Sequence, residues 1–263
     1  MRFEILPVGA GEEQAAELSE RVRLTVTCSP RHGPDRTVGM GTRLRALGHG
    51  VTVHLSARMV RDRTHLDELL ATMAEAGIDD AFVIGGDATE PVGAYTSAVE
   101  LLPIVHEHPN RPRTLGIAGY PEGHPLVDPA ALAVALAEKS RLADYVTTQL
   151  CFDPDAILRF ARQAELPVIV GLPGIVDRRR LLGVAVKIGV GPSLRFLRKQ
   201  RGLRRFFRLS AAADALYDAL APHAAELEGF HFFTFNRLLD TWAWELDKRN
   251  STAPEVEKEV TPT

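Results

Sequence analysis

Short β-rich runs alternate along the chain with stretches in which large apolar residues return every three or four positions. The runs that predict strands are Arg2–Pro7, Val22–Thr27, Val51–Ser56, Ala81–Gly85, Thr114–Tyr120, Tyr145–Cys151, Val168–Leu172 and Gly229–Phe235. Several are apolar on both faces, the pattern of a parallel sheet covered by helices. Between them, Asp128-Pro129 and Asp153-Pro154 each set a capping side chain before a proline at the first helical position. Thr64 is expected to cap the next clear helix, with Asp67 favourably placed near its N-terminus. Leu66, Leu69, Leu70 and Met73 then follow at helical spacing, and Gly77 terminates it.

Eight strand–helix units with no obvious linker predict an α/β fold of the (β/α)₈ TIM-barrel class. A doubly wound open sheet shows the same alternation and is the competing architecture. The interval of residues 173–228 is long for one unit and implies an extra helix in a β7–β8 insertion, with Ser210–Leu227 its clearest helical piece. Ser251–Thr263 mixes Pro, Thr and charge with few large apolar groups. It reads as a disordered tail, leaving residues 1–250 as one barrel domain.

Composition narrows the function classes. A chain of 263 residues that is 45% hydrophobic and 25% charged can bury one large core. A formal charge of −3 speaks against a dedicated nucleic-acid binder. Cys28 and Cys151 are the only cysteines and form no Cys-x-x-Cys pair, so neither a disulfide framework nor a structural zinc or other metal site is expected. No apolar run approaches the roughly 18 residues of a spanning helix, and Met1-Arg2-Phe3-Glu4 leads into a strand without a signal peptide's apolar stretch. A cytoplasmic protein with no membrane partner is the expectation; oligomeric state is not readable.

In a barrel of this kind the reactive groups sit at the carboxyl ends of the strands and in the loops that follow. Those positions hold Glu4, Thr27, His54, Asp87 after Gly85-Gly86, Tyr120, Glu122, His124, Gln149 and Asn236-Arg237. Each also has an ordinary reading. Gly-Gly-Asp is often a turn, a strand-end histidine is often a satisfied core group, and Asn-Arg can simply begin a helix.

At these residues the chain resembles the methylenetetrahydrofolate reductase family. Phe3-Glu4-Ile5-Leu6-Pro7 is similar to the family's Phe-Glu-x-x-Pro, His54-Leu55-Ser56 to its His-Leu-Thr, and Gly86-Asp87 to its Gly-Asp after the fourth strand. Tyr120-Pro121-Glu122-Gly123-His124-Pro125 resembles Tyr-Pro-Glu-x-His-Pro. Thr148-Gln149-Leu150-Cys151-Phe152-Asp153 resembles Thr-Gln-Phe-x-Phe-Asp. Phe230-His231-Phe232-Phe233-Thr234-Phe235-Asn236-Arg237 follows Phe-His-Phe-Tyr-Thr-x-Asn-Arg. The blocks fall in family order from the first strand to the eighth and leave residues 178–227 poorly matched.

The resemblance implies the barrel and an activity, reduction of 5,10-methylenetetrahydrofolate to 5-methyltetrahydrofolate. In that reaction the bridging carbon opens to an iminium ion while the departing nitrogen is protonated, and hydride follows. Glu4 would be the acid, and Asp87 and Gln149 the pterin-orienting pair, with Thr27 and Arg237 beside the folate. Arg237 has an alternative in an ion pair with Asp240. Tyr120, His124 and His54 match positions that contact FAD in the family, and Lys139 stands in for its usual lysine with a one-residue gap. Other flavin positions depart from the pattern. Gly85 stands where an arginine usually precedes Gly-Asp, and Glu138 adds negative charge where a pyrophosphate needs positive. Two expectations follow: FAD bound through rebuilt contacts, or hydride passed directly from NADH or NADPH. Without a Gly-x-Gly-x-x-Gly fingerprint the choice of dinucleotide stays open.

A non-catalytic folate- or pterin-binding barrel would keep Asp87 and Gln149 without needing Glu4. A methyltetrahydrofolate oxidase running in reverse would use the same residues. Between Arg178 and Arg208 lie eleven Lys or Arg and no Asp or Glu. That stretch reads either as an anion site near the barrel mouth, for the folate's glutamate tail or the dinucleotide's pyrophosphate, or as a solvated helix face.

Overall fold

The computed structural model describes residues 1–176 and 210–252. Eight parallel strands close into a barrel in sequence order, each followed by a helix. The units are β1 (Arg2–Ile5) with α1 (Gly11–Glu17), β2 (Arg23–Val26) with α2 (Gly33–Ala46), and β3 (Gly50–Ser56) with α3 (Arg63–Glu75). They continue through β4 (Asp80–Ile84) with α4 (Ala98–His106), β5 (Thr114–Gly119) with α5 (Pro129–Ser140), and β6 (Tyr145–Thr148) with α6 (Pro154–Gln163). The last are β7 (Val168–Pro173) with α7 (Ala211–Leu220), and β8 (Gly229–Phe233) with α8 (Leu238–Thr252). The ring closes through β1 and β8, with Arg2 opposite His231 and Glu4 opposite Phe233. That pairing excludes the open doubly wound sheet.

The helix signals act largely as expected. Asp128 and Asp153 each accept two backbone N–H groups at the starts of α5 and α6. Gly77 takes φ +67° just beyond α3, whose Leu66, Leu69, Leu70 and Met73 are buried. The cap of α3 needs correction: Asp62, not Thr64, fills it, with extended backbone and a side chain that accepts from His65 N–H at 2.8 Å. Thr64 lies inside the first turn. Ser210–Leu227 resolves into α7 followed by a 3₁₀ segment, Ala221–Glu226. α8 carries through Ser251 and Thr252. The rest of the expected tail, and the basic stretch from Arg178 to Arg208, lie outside the described residues. No described helix is long and apolar enough to cross a membrane.

Strand alternation sorts the side chains into two layers. Phe3, Ile5, Leu24, Val26, Val53, Leu55, Val83, Ile117, Val170 and Phe232 join the apolar core. The other face of the strands is polar where such barrels usually carry branched aliphatics. Arg2, Thr25, Thr52, Phe82, Tyr145, Thr147 and His231 line a cavity there. On its floor Arg2 Nη1 lies 3.0 Å from Asp80 Oδ2 and donates to the Tyr145 hydroxyl at 2.7 Å. Tyr145 and Thr52 in turn donate to Asp80, at 2.9 and 2.8 Å. Gly116 makes room for this cluster, because a Cβ there would collide with the Tyr145 ring.

Candidate active site

Glu4 stands one inward position above Arg2 on β1, with 15% of its side chain exposed. Two histidines reach the same carboxylate oxygen. His231 Nε2, from β8, is 3.2 Å from Oε2, and His54 Nε2, from β3, is 3.8 Å away. The second approach is not an ion pair. Burial drives the His54 imidazole down to about 4, more strongly than the nearby Glu4 charge lifts it, so the ring is neutral near pH 7. At 3.8 Å it is also too far for a hydrogen bond, and its buried Nε2 has no partner. The Thr27 hydroxyl, just past β2, is a second buried polar atom without a partner. An orphaned ring nitrogen this close to a carboxyl marks a place built to receive something polar.

The loop around Glu4 is fixed from the other end of the chain. Thr234 Oγ1 donates to the Glu4 carbonyl, and Asn236 Oδ1 accepts from Leu6 N–H at 2.7 Å. The same amide's Nδ2 donates to the Val8 carbonyl. To reach, Phe235 and Asn236 adopt left-handed backbone, φ 51° and 62°. Sequence reasoning placed Asn236 at the mouth without this role, and gave His231 none. The signal for His231 was present: in the run Phe230-His231-Phe232-Phe233, alternation with the buried outward-facing Phe232 turns it into the barrel.

Further round the mouth, Asp87 is exposed on the loop after β4. Tyr120, at the end of β5, has its phenol pushed up by burial and then by the Asp87 charge. Its ring packs edge-on against His124 at 5.0 Å. Gln149 follows β6, where its backbone N–H donates to the Gly119 carbonyl and its side-chain oxygen accepts from Leu150 N–H. These groups therefore ring one end of one barrel. Arg237 is turned to Asp240, 2.8 Å away, which realises its ordinary reading. Lys139 is buried under α5; its Nζ lies 3.5 Å from the Ala118 carbonyl, and desolvation holds its ammonium below the usual range. Burial lifts the Cys28 thiol to about 11, so it is no nucleophile at neutral pH. Among the described residues no cluster of His, Cys, Asp or Glu is arranged to hold a metal ion.

The Asp87 loop depends on Gly86, whose φ is +92° and where a Cβ would strike the Ser56 hydroxyl. Gly86→Ala is expected to cost about 1–3 kcal/mol in backbone strain and to displace Asp87. A lower urea midpoint would report the strain, and an unchanged midpoint would show that the loop accepts a side chain there.

The chain matches the family model described as methylenetetrahydrofolate reductase over residues 35–177. It is 24% identical over 214 residues to "Methylenetetrahydrofolate reductase 2" of Schizosaccharomyces pombe, covering 70% of this chain and 33% of that one. The chain thus spans about a third of the length of this curated relative. Among solved structures it is similar to a putative lyase/mutase from Burkholderia cenocepacia, with TM-score 0.49, 18% identity, and 99% and 84% of the two chains covered. It is also similar to the HPPK-DHPS of Plasmodium falciparum, with TM-score 0.49, 10% identity, and 98% and 48% covered. Because the match at residues 35–177 spans more than half of this chain, the chain belongs to the methylenetetrahydrofolate reductase family.

Proposed function

We propose that this protein reduces 5,10-methylenetetrahydrofolate to 5-methyltetrahydrofolate, with a nicotinamide dinucleotide as the electron donor. The observation that carries this reading is the surrounding of Glu4: a mostly buried carboxyl at a strand end, touching one histidine, with the orphaned Nε2 of His54 3.8 Å away. Such a carboxyl suits proton delivery to the folate nitrogen that leaves the bridging carbon. Loss of that nitrogen generates the iminium, with the adjacent ring nitrogen supplying the electron pair of the new double bond. Asp87 adds negative charge where the cation develops, and the amino end of the Gln149 amide offers donors to the pterin edge. The neutral His54 adds no competing positive charge beside Glu4.

The flavin usual in the family fits these residues poorly. Gly85 offers no side chain where an arginine is usual, and Lys139 directs its ammonium to the Ala118 carbonyl in the barrel wall. Glu138 is exposed on the same helix. Each missing charge-assisted contact weakens a pyrophosphate's hold by about 1.5–3 kcal/mol, so several together cost orders of magnitude in affinity. The reading adopted is therefore direct hydride transfer from the nicotinamide to the iminium carbon, chemistry of which a nicotinamide is capable alone.

The test is oxidation of NADH and NADPH by the purified protein with methylenetetrahydrofolate, with and without added FAD, alongside an absorption spectrum. Turnover independent of FAD, from a protein without a flavin band, is the expected result. A near-stoichiometric flavin band with FAD-dependent turnover overturns the direct route, and no turnover with either donor overturns the reductase reading.

A further inference from the structure

The barrel interior treats the two histidines beside Glu4 differently. His54 makes no hydrogen bond through Nε2, and its ring leans on Phe82 with centroids 4.9 Å apart. His231 is 4% exposed, held edge-on against Phe233 at 5.0 Å, and its Nε2 meets Glu4 Oε2 at hydrogen-bond distance. In the β1–β8 register it lies opposite Arg2, one inward step below Glu4, so the imidazole supports the carboxyl from the closed side of the barrel. Oε1 makes no hydrogen bond to any described residue, which leaves it as the oxygen able to present a proton.

Resting on the reductase reading above, we propose that His231 is a positioning residue for the proton step. It donates from Nε2 to Glu4 Oε2, so that Oε1 carries the transferable proton and the carboxylate left behind keeps a charge-assisted partner. The proton passes from Oε1 to the leaving nitrogen as its bond to the bridging carbon breaks. That nitrogen keeps the electron pair, the other ring nitrogen's lone pair forms the iminium, and a solvent proton later restores the acid. A group that stabilises the developing carboxylate, and not the bound folate, acts on kcat and leaves KM alone.

His231→Leu removes the donor, whereas His231→Gln returns an N–H near the position of Nε2. The expected result is a kcat about 10- to 100-fold lower for His231→Leu, a folate KM within about twofold, and recovery of most of the loss in His231→Gln. A His231→Leu enzyme with unimpaired kcat, or a folded His231→Gln as slow as His231→Leu, overturns the positioning role while leaving the reductase reading intact. Absence of turnover in the unsubstituted protein overturns both. Should His231→Leu fail to fold, ¹⁵N-histidine NMR of the unsubstituted protein decides. An Nε2–H tautomer at His231 whose signal shifts on Glu4→Gln supports the pairing, and an Nε2 signal indifferent to that substitution overturns it.

Discussion

Replacing Glu4 with glutamine is expected to lower kcat on methylenetetrahydrofolate by roughly 10²- to 10⁴-fold, the usual contribution of a well-placed general acid, with little change in folate affinity. The substitution keeps the shape and a hydrogen-bonding partner for His231, 3.2 Å away, and removes only the transferable proton. Steady-state turnover, with equilibrium binding of methyltetrahydrofolate measured separately, isolates that loss. Retained turnover would assign the acid to another group. A barrel that merely bound pterins would differ at the outset, since the parent protein would have no turnover to lose.

The largest expected effect on stability comes from the opposite end of the barrel. Asp80→Ala would leave the Arg2 guanidinium, only 9% exposed, without its anion, and would strip the acceptor from Thr52 and Tyr145. Removing one partner of a buried ion pair costs about 3–5 kcal/mol, because the remaining charge stays desolvated. Its neighbour Asp79 is a built-in control. Asp79 pairs with Arg113 at 3.4 Å, but both side chains are mostly in solvent. Asp79→Ala is therefore expected to change stability by no more than about 1 kcal/mol. Urea unfolding of the two variants checks the contrast, and equal losses would show that the floor cluster carries no special weight.

The eight strands were legible because alternation and β-rich runs are local signals, and all eight appear within a few residues of their expected ends. Closure is a property of β1 meeting β8 across the length of the chain, and no local pattern encodes it; the count of eight strand–helix units pointed to it and the family resemblance added support. Glu4, Thr27 and His54 were legible as polar residues at strand ends. The floor cluster was not, because Asp80 precedes the apolar run that announces β4 and reads as loop until the register shows it inside. His231 was masked by the aromatic residues around it. The α3 cap was misassigned because Asp62 and Thr64 are both competent caps, and only the backbone geometry at Asp62 distinguishes them.

The fastening of Leu6 and Val8 by Asn236 joins residues some 230 positions apart in the chain. Until β8 docks, the first strand lacks one of its two neighbours, and the acid it carries has neither His231 beneath it nor Thr234 on its carbonyl. Completing the surroundings of this carboxyl therefore requires two segments far apart in the chain to meet, and contacts of that kind are slow to form because distant segments must first find each other. A partly opened chain would hold a loose glutamate on an unfinished edge, so the proposed proton donor would take shape only with the completed ring and be lost with it.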